Sequence, residues 1–210
     1  RSRTAAGLLL LCAAIAAHAQ TESLVEIETG RTMSAAGSAE PVVLRAILTM
    51  PAGATETAIL YFRGNPGYML INSLRDKQRN LGWLGKGEAQ LMQAGIALVQ
   101  VDCPTDQWGD SPRPPATKCL GDYRSSQQHD DDVRRLMAQL KTQYGLKNFY
   151  VLGHSIGTIS SRWLAINLGK DEIAGSIHSA AMNSLAPNLY SLLGELPRLF
   201  PEKSAGAPIL

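Results

Sequence analysis

A serine flanked by two glycines is the part of this sequence best suited to carry chemistry. Residues 153–157 read GHSIG, with Ser155 two residues from each glycine. An apolar run precedes this pentapeptide, and a segment with helical character follows it. In a sharp turn from a strand into a helix, glycines avoid collisions with neighbouring backbone because they have no Cβ atom. Such a turn would raise the Ser155 hydroxyl above a sheet, so we predict that Ser155 is a nucleophile for acyl transfer. An exposed serine in a glycine-rich turn is the alternative.

A nucleophilic serine needs a base that accepts its proton, and histidine is the residue that most often has this role. The sequence contains four of them. His18 lies near the N-terminus, and His129 lies in a predicted helix well before Ser155. His154 is adjacent to the serine, so its side chain should leave the turn in another direction. His178 ends a predicted strand, where we interpret it as a packed or pocket-rim residue, with a role as an unusual base as the alternative.

Short apolar runs that alternate with helical segments indicate which elements position the serine. The patterns predict strands at 41–51, 58–62, 95–102, 148–153 and 173–178, and helices at 87–95, 126–144 and 156–168. Continuous apolar runs are typical of strands that are covered on both faces, and alternation with helices favours a parallel sheet. We therefore predict the α/β class, with a mostly parallel sheet and helices on both faces. The run Asp130, Asp131 and Asp132 is expected on a solvated helix face rather than in a metal site.

Three segments of the chain resemble the α/β-hydrolase family, and the resemblance extends from about residue 40 to the end. AILYFRGNPGYM at 58–69 is similar to the oxyanion loop after the third strand of that family. GIALVQVDCPTDQWGDS at 95–111 is similar to the fourth strand and its following loop, and NFYVLGHSIGTISS at 148–161 to the nucleophile elbow. The resemblance implies an eight-stranded, mostly parallel sheet and a catalytic triad in the chain order serine, acid, histidine.

The resemblance also implies which groups form the oxyanion hole. One donor is the backbone N–H of Ile156, directly after the nucleophile. Many family members carry His-Gly in the oxyanion loop, whereas this chain has Arg63-Gly64 followed by Asn-Pro-Gly. Pro66 has no N–H, so by position the second donor is the backbone N–H of Asn65. An ordinary Asn-Pro-Gly turn is the alternative.

The family pattern places the acid after the seventh strand and the histidine after the eighth. GAPIL at 206–210 is similar to the start of the seventh strand, so we expect a truncated sequence whose triad acid and histidine lie beyond Leu210. Residues 182–205 precede it, where a cap often covers the pocket in this family. This segment has an apolar helical face, which is formed by Leu189, Leu192, Leu193 and Leu196. The face fits a lid and core packing equally well.

The N-terminal residues indicate export. Arg1 and Arg3 precede an uncharged apolar run of 13 residues at 5–17, which is shorter than the ~20 residues that span a membrane. Because a small-x-small sequence then ends at Ala19, we predict a signal peptide over 1–19 and a hydrolase domain over 20–210, with no integral membrane span after cleavage. The protein is then expected to be periplasmic or secreted.

Two cysteines, Cys103 and Cys119, would remain after cleavage, and an even pair in an exported protein predicts a disulfide. Two free buried thiols are the alternative. Neither a CxxC motif nor clustered histidines accompany them, so no metal is expected, and no organic cofactor is needed. The net charge of +2 and the lack of a Lys- or Arg-rich run argue against a nucleic-acid partner.

These observations together predict an exported serine hydrolase that cleaves an ester or related acyl bond of a small-molecule substrate through an acyl-enzyme. Two alternatives have the same fold. One is a non-catalytic binding protein, which is favoured by the lack of a convincing triad histidine in the sequence. The other is a peptidase.

Overall fold

The computed structural model describes residues 19–35, 37–108, 119 and 121–180 of the chain. The predicted signal peptide up to residue 18 therefore lies outside the described residues, as do the predicted cap segment 182–205 and the start of the predicted seventh strand at 206–210. None of the helices in the described ranges combines the length and the hydropathy that a membrane span requires.

In the described part of the chain, six strands form one mixed sheet: β1 (Thr21–Ala35), β2 (Ser38–Met50), β3 (Thr57–Phe62), β4 (Ala97–Val101), β5 (Asn148–His154) and β6 (Gly175–Ser179). Their order across the sheet is β1-β2-β4-β3-β5-β6. Strands β4, β3, β5 and β6 run parallel to one another, whereas β2 is antiparallel to both β1 and β4. The predicted α/β class is confirmed, and its parallel part carries the elements that surround Ser155.

Strand β1 was not predicted from the sequence. It forms a long antiparallel hairpin with β2, in which Val25 pairs with Ala46 and Ile27 with Leu44. Val25 and Ile27 are buried, and the glutamates that follow each of them are exposed. This alternation is the period-two pattern of a strand with one face covered. The signal was therefore present, but it is more polar than the continuous apolar runs of the central strands.

Among the residues that the structure describes, five α-helices lie between the strands: α1 (Lys77–Leu81), α2 (Glu88–Gln93), α3 (Gly121–Arg124), α4 (Gln127–Tyr144) and α5 (Thr158–Asn167). Short 3-10 turns occupy Leu74–Asp76, Gly82–Lys86, Thr105–Gln107 and Ser155–Gly157. Helix α4 matches the predicted bounds because its ends are marked locally. Ser126 caps its N-terminus, and Gly145 closes its C-terminus with a φ of 71°.

The helices pack on both faces of the sheet, and the side chains of β3 alternate between the two apolar layers. Leu60 and Phe62 belong to the cluster that contains Leu136 of α4 and Leu164 of α5. Tyr61 belongs to the opposite cluster, with residues of α1 and of the Gly82–Lys86 turn. Strand β3 is thus covered on both sides, as its continuous apolar sequence requires.

The run of aspartates at the start of α4 does not form a solvated face, and that expectation was wrong. Asp131 is exposed, but Asp130 and Asp132 are buried. Asp132 accepts hydrogen bonds from the guanidinium of Arg31 at 2.8 and 2.9 Å and from the Tyr123 hydroxyl at 2.9 Å. Helix α4 lies against the β1 hairpin, so a carboxylate on this side meets a cation from a distant part of the chain.

Candidate active site

Ser155 lies in the tight turn that joins β5 to α5. It directly follows the last residue of β5 and begins the 3-10 turn Ser155–Gly157. Its φ is 51°, in the left-handed region that residues with a Cβ atom rarely adopt. The side chain is half-buried, and the backbone carbonyl accepts a hydrogen bond from Thr158 Oγ1 at 2.6 Å. Ser155 therefore stands at the carboxyl end of a parallel strand in a strained conformation.

The two glycines of GHSIG lie where no side chain fits. A Cβ atom on Gly157 would lie 2.8 Å from the carbonyl oxygen of Arg63 and closer still to that of Phe62. A Cβ atom on Gly153 would lie 2.6 Å from the carbonyl carbon of Gly157 and would also collide with Ser161 Oγ. The absence of these side chains lets the elbow pack directly against the end of β3.

The turn of residues 64–67, which follows β3, lies against the elbow. A Cβ atom on Gly64 would be 3.0 Å from the Cβ atom of Ser155. The N–H of Gly67 donates to the carbonyl of Gly64 at 2.8 Å and closes the turn around Asn65. Asn65 is exposed, and it directly follows the residue that contacts Ser155. The segments that carry the Asn65 and Ile156 N–H groups thus meet at Ser155.

Asp102, which the sequence analysis did not single out, anchors the chain after this turn. Its carboxylate accepts hydrogen bonds from the backbone N–H groups of Met69 at 2.6 Å, Ile71 at 2.7 Å and Cys103 at 2.7 Å. Burial raises the pKa of Asp102, while these hydrogen bonds and the charge of Arg124 act in the opposite direction. An acid directly after an apolar strand was the available signal in the sequence.

Arg124 is a second residue that sequence analysis missed, and it is buried behind the same turn. Its Nε donates to the Cys119 carbonyl at 2.9 Å, and its Nη1 donates to Ser160 Oγ at 2.6 Å. Nη2 donates to the Gly67 carbonyl. Burial lowers the pKa of Arg124 to about 10, so the guanidinium stays protonated at neutral pH. An arginine in a polar segment carries no local signal of this arrangement.

A disulfide joins Cys103 to Cys119, with their Cα atoms 6.1 Å apart. Both residues are buried, in a cluster with Tyr68 and Tyr123. The two sulfur atoms lie 3.4 and 3.7 Å from the carbonyl oxygen of Gly67. The disulfide therefore packs against the end of the 64–67 turn and connects the chain after β4 with the segment that leads into α3.

The His178 side chain has hydrogen-bond partners in α5 and in β6. Its Nδ1 lies 2.8 Å from Ser161 Oγ, and its Nε2 lies 3.3 Å from Ser176 Oγ. Burial lowers the pKa of His178, and the charge of Arg162 adds to this effect. Both ring nitrogens have hydroxyl partners other than Ser155, which does not favour the alternative in which His178 is the base.

His154 and His129 also contact residues other than Ser155. The ring of His154 lies 5.2 Å from that of Trp83, which is 45% exposed, and its Nδ1 lies 3.2 Å from Ser179 Oγ. His129 is buried between the rings of Phe62 and Tyr123. Among residues 19–35, 37–108, 119 and 121–180, no histidine is hydrogen-bonded to the Ser155 hydroxyl, and no cluster of potential metal ligands occurs.

Comparison with known proteins shows which fold this architecture resembles. Residues 107–204, which include the elbow, match a family model described as the alpha/beta hydrolase fold. A dienelactone hydrolase from Anabaena variabilis is 20% identical, with a TM-score of 0.56 over 91% of this chain and 72% of that protein. A cold-adapted esterase from an Arctic intertidal metagenomic library is 14% identical, with a TM-score of 0.53 over 90% of this chain and 70% of that one.

An esterase from Pyrococcus furiosus is also similar, at 14% identity and a TM-score of 0.51 over 90% of this chain and 69% of that one. No curated protein matches the chain significantly. At these identities the solved structures establish the fold and nothing finer. The resemblance found in the sequence is confirmed, and this chain is a protein of the α/β-hydrolase fold.

Proposed function

We propose that the full-length protein is a serine hydrolase that cleaves an ester or related acyl bond of a small molecule, with Ser155 as the nucleophile. The observation that carries this proposal is the φ of 51° at Ser155, at the end of a parallel strand and between two glycines that cannot accept a side chain. Such backbone strain costs on the order of 1–3 kcal/mol and is concentrated at functional sites. A serine that merely ended a strand would not need it.

The proposed reaction has two steps. Ser155 Oγ forms a bond to the carbonyl carbon of the substrate, and the electron pair of the C=O double bond moves to the oxygen. The backbone N–H groups of Asn65 and Ile156 donate hydrogen bonds to that oxyanion. The bond to the leaving oxygen breaks as this oxygen takes the proton that the base removed from Ser155. In the second step water gives a proton to the same base and its oxygen forms a bond to the acyl carbon. The bond from that carbon to Ser155 Oγ then breaks, Oγ takes up the proton from the base, and the acid is released.

The proposed reaction also needs a base and an acid that orients it, and we place both later in the chain. Each described histidine after the signal segment has other neighbours: His129 lies between aromatic rings, His154 faces Trp83 and Ser179, and His178 bonds two other hydroxyls. The family order of serine, acid and histidine puts both missing groups after β6. We therefore propose that they follow residue 180.

The substrate class and the location of the protein rest on coarser support. The solved relatives named above are two esterases and a dienelactone hydrolase, and these names support an ester or related acyl bond as the proposed substrate class. The basic and apolar N-terminal sequence supports export, and the disulfide between Cys103 and Cys119 is compatible with it. We propose a periplasmic or secreted enzyme on these grounds.

A fluorophosphonate probe, which reacts covalently with activated serines, tests the proposal on the full-length protein. We expect one equivalent of label on Ser155, located by peptide mass spectrometry, together with hydrolysis of a p-nitrophenyl ester. Ser155→Ala should abolish labelling and lower kcat by roughly 10³-fold or more. Ser179→Ala is the matched control, because it removes a hydroxyl close to His154 without touching the elbow serine.

A different result would support the non-catalytic alternative. If the folded full-length protein takes no label and hydrolyses no p-nitrophenyl ester, Ser155 is not an activated nucleophile and the hydrolase proposal is wrong. Labelling combined with cleavage of a peptide substrate but of no ester would support the peptidase alternative.

A further inference from the structure

We propose that Arg124 is a positioning residue for the oxyanion hole, which fixes the 64–67 turn, and with it the N–H of Asn65, against the nucleophile elbow. This inference rests on the proposed function and extends it to a residue that does not itself touch the substrate. Arg124 is 2% exposed and donates hydrogen bonds to three different segments of the chain.

The 64–67 turn is held at both of its ends. Gly64 packs tightly against the elbow at the front, where a Cβ atom would lie 3.0 Å from Ser155 Cβ and 3.1 Å from the His154 carbonyl oxygen. At the back, the carbonyl of Gly67 accepts a hydrogen bond from Nη2 of Arg124. The hydrogen bond from the N–H of Gly67 to the carbonyl of Gly64 joins the two ends. The position of Asn65 between them therefore depends on where Arg124 holds Gly67.

The same guanidinium also connects the 64–67 turn to α5, the helix that follows the nucleophile. Its Nη1 donates to Ser160 Oγ, and Ser160 lies in α5, five residues after Ser155. One rigid, planar group thus sets the spacing between the turn that carries one oxyanion donor and the helix that follows the other. A lysine ammonium carries its three N–H donors on a single rotatable nitrogen, so it lacks the planar fork whose separate nitrogens reach these three segments.

The disulfide supports Arg124 from the third side. Nε of Arg124 donates to the carbonyl of Cys119, which is bonded through its sulfur to Cys103. Cys103 directly follows Asp102, whose carboxylate holds the N–H groups of Met69 and Ile71 beyond the turn. Arg124 is therefore held in place relative to the end of β4. Because it also bonds Gly67, it holds the 64–67 turn in place relative to the same strand end.

The expected consequence is a loss of transition-state stabilisation. An oxyanion donor must lie within about 2.7–3.1 Å of the oxyanion, and losing one donor costs roughly 10²–10³-fold in kcat. If the turn moves in the absence of Arg124, part of the contribution of this donor to kcat is lost. We therefore expect Arg124→Met to lower kcat by roughly 10–10²-fold. KM should stay within about twofold, because the affected hydrogen bonds form fully only in the transition state.

The experiment compares the full-length wild type with Arg124→Met and Arg124→Lys. The measurements are kcat and KM for a p-nitrophenyl ester, the rate of labelling by the fluorophosphonate probe and the melting temperature, with all assays well below the lowest melting temperature. We expect both kcat and the labelling rate to fall in Arg124→Met, with a smaller fall in Arg124→Lys. Leu140→Ala is the matched control for stability, because it opens a cavity under α4 away from the turn.

Each outcome decides the inference. A folded Arg124→Met protein with wild-type kcat and labelling rate overturns it, as does an equal loss of kcat in Leu140→Ala. If Arg124→Met does not fold, Arg124→Lys decides in the same way: lowered kcat at unchanged KM supports positioning, and wild-type kcat overturns it. Failure of the wild type to label would instead refute the proposed nucleophile, whereas a labelled wild type with unaffected Arg124 variants refutes only this inference.

Discussion

Asn65 is the residue whose proposed role depends most on its backbone rather than on its side chain. The side chain is exposed, while the preceding Gly64 lies against Ser155. Pro66 follows it and has no N–H, so it cannot take over as a donor. The oxyanion hypothesis therefore predicts that only substitutions that remove the N–H at position 65 matter strongly.

Asn65→Pro tests this prediction, because it deletes the N–H. We expect kcat of the full-length enzyme to fall by roughly 10²–10³-fold, since one oxyanion donor is lost. Asn65→Ala is the matched control, which removes the side chain and keeps the N–H, and its kcat should stay within a few-fold of the wild type. Steady-state kinetics on a p-nitrophenyl ester measures both. Equal kcat in the two folded variants would contradict the assignment.

At the scale of elements, helix α4 is linked to α3 by the residue that begins it. The hydroxyl of Ser126 accepts a hydrogen bond from the N–H of His129 at 3.3 Å and donates to the carbonyl of Tyr123 at 2.7 Å. Tyr123 directly precedes Arg124 in α3. The cap of the longest described helix thus also fixes the short helix that carries the buried arginine.

Ser126→Ala should therefore lower the free energy of unfolding. Loss of a serine N-cap costs about 1 kcal/mol, typically in the range of 0.5–2 kcal/mol. Thr142→Ala on the same helix is the control, because its hydroxyl only bonds back to carbonyls one turn earlier on an exposed face. Urea unfolding of the full-length protein gives both values. A Ser126→Ala protein as stable as Thr142→Ala would show that the cap contributes nothing.

At the scale of the whole molecule, the buried His129 couples stability to pH. Its ring lies between Phe62 and Tyr123, and neither ring nitrogen has a hydrogen-bond partner among the described residues. Burial lowers the pKa of His129 well below its usual value of 6.5, and the charge of Arg124 acts in the same direction. The folded protein therefore holds this imidazole neutral, while the unfolded chain takes up a proton below about pH 6.5.

The sign of the effect follows from this difference in proton binding. Between the usual histidine pKa and the lower folded-state value, the unfolded state binds more protons, so the free energy of unfolding falls as the pH falls. One such group contributes at most about 1.4 kcal/mol per pH unit. We expect His129→Phe, which keeps an aromatic ring, to make unfolding less dependent on pH between 6.5 and 5.

Urea unfolding of the full-length protein at several pH values measures this dependence. His178→Asn is the comparison, since the half-buried His178 has hydroxyl partners and its pKa is lowered less strongly. An unchanged slope in His129→Phe would contradict a buried, neutral His129.

The features of this protein that depend on near neighbours along the chain could be predicted from the amino-acid sequence alone. The central strands, the bounds of α4 and the strand–serine–helix arrangement at Ser155 are encoded by apolar runs, a cap, a terminating glycine and the spacing of Gly153 and Gly157. These signals are local because a residue's own conformation and the periodic burial of its element govern them. Together they were enough to predict the α/β class and to select Ser155.

Which polar groups meet inside the molecule could be learned only from the folded chain. Asp132 is buried because Arg31, 101 residues earlier, lies on the adjoining hairpin. Arg124 contacts the 64–67 turn through Gly67, 57 residues before it in the chain. A charged side chain is stable in the interior only where specific partners surround it, and those partners come together only when distant segments pack. For that reason no local pattern marked Arg124 or Asp132.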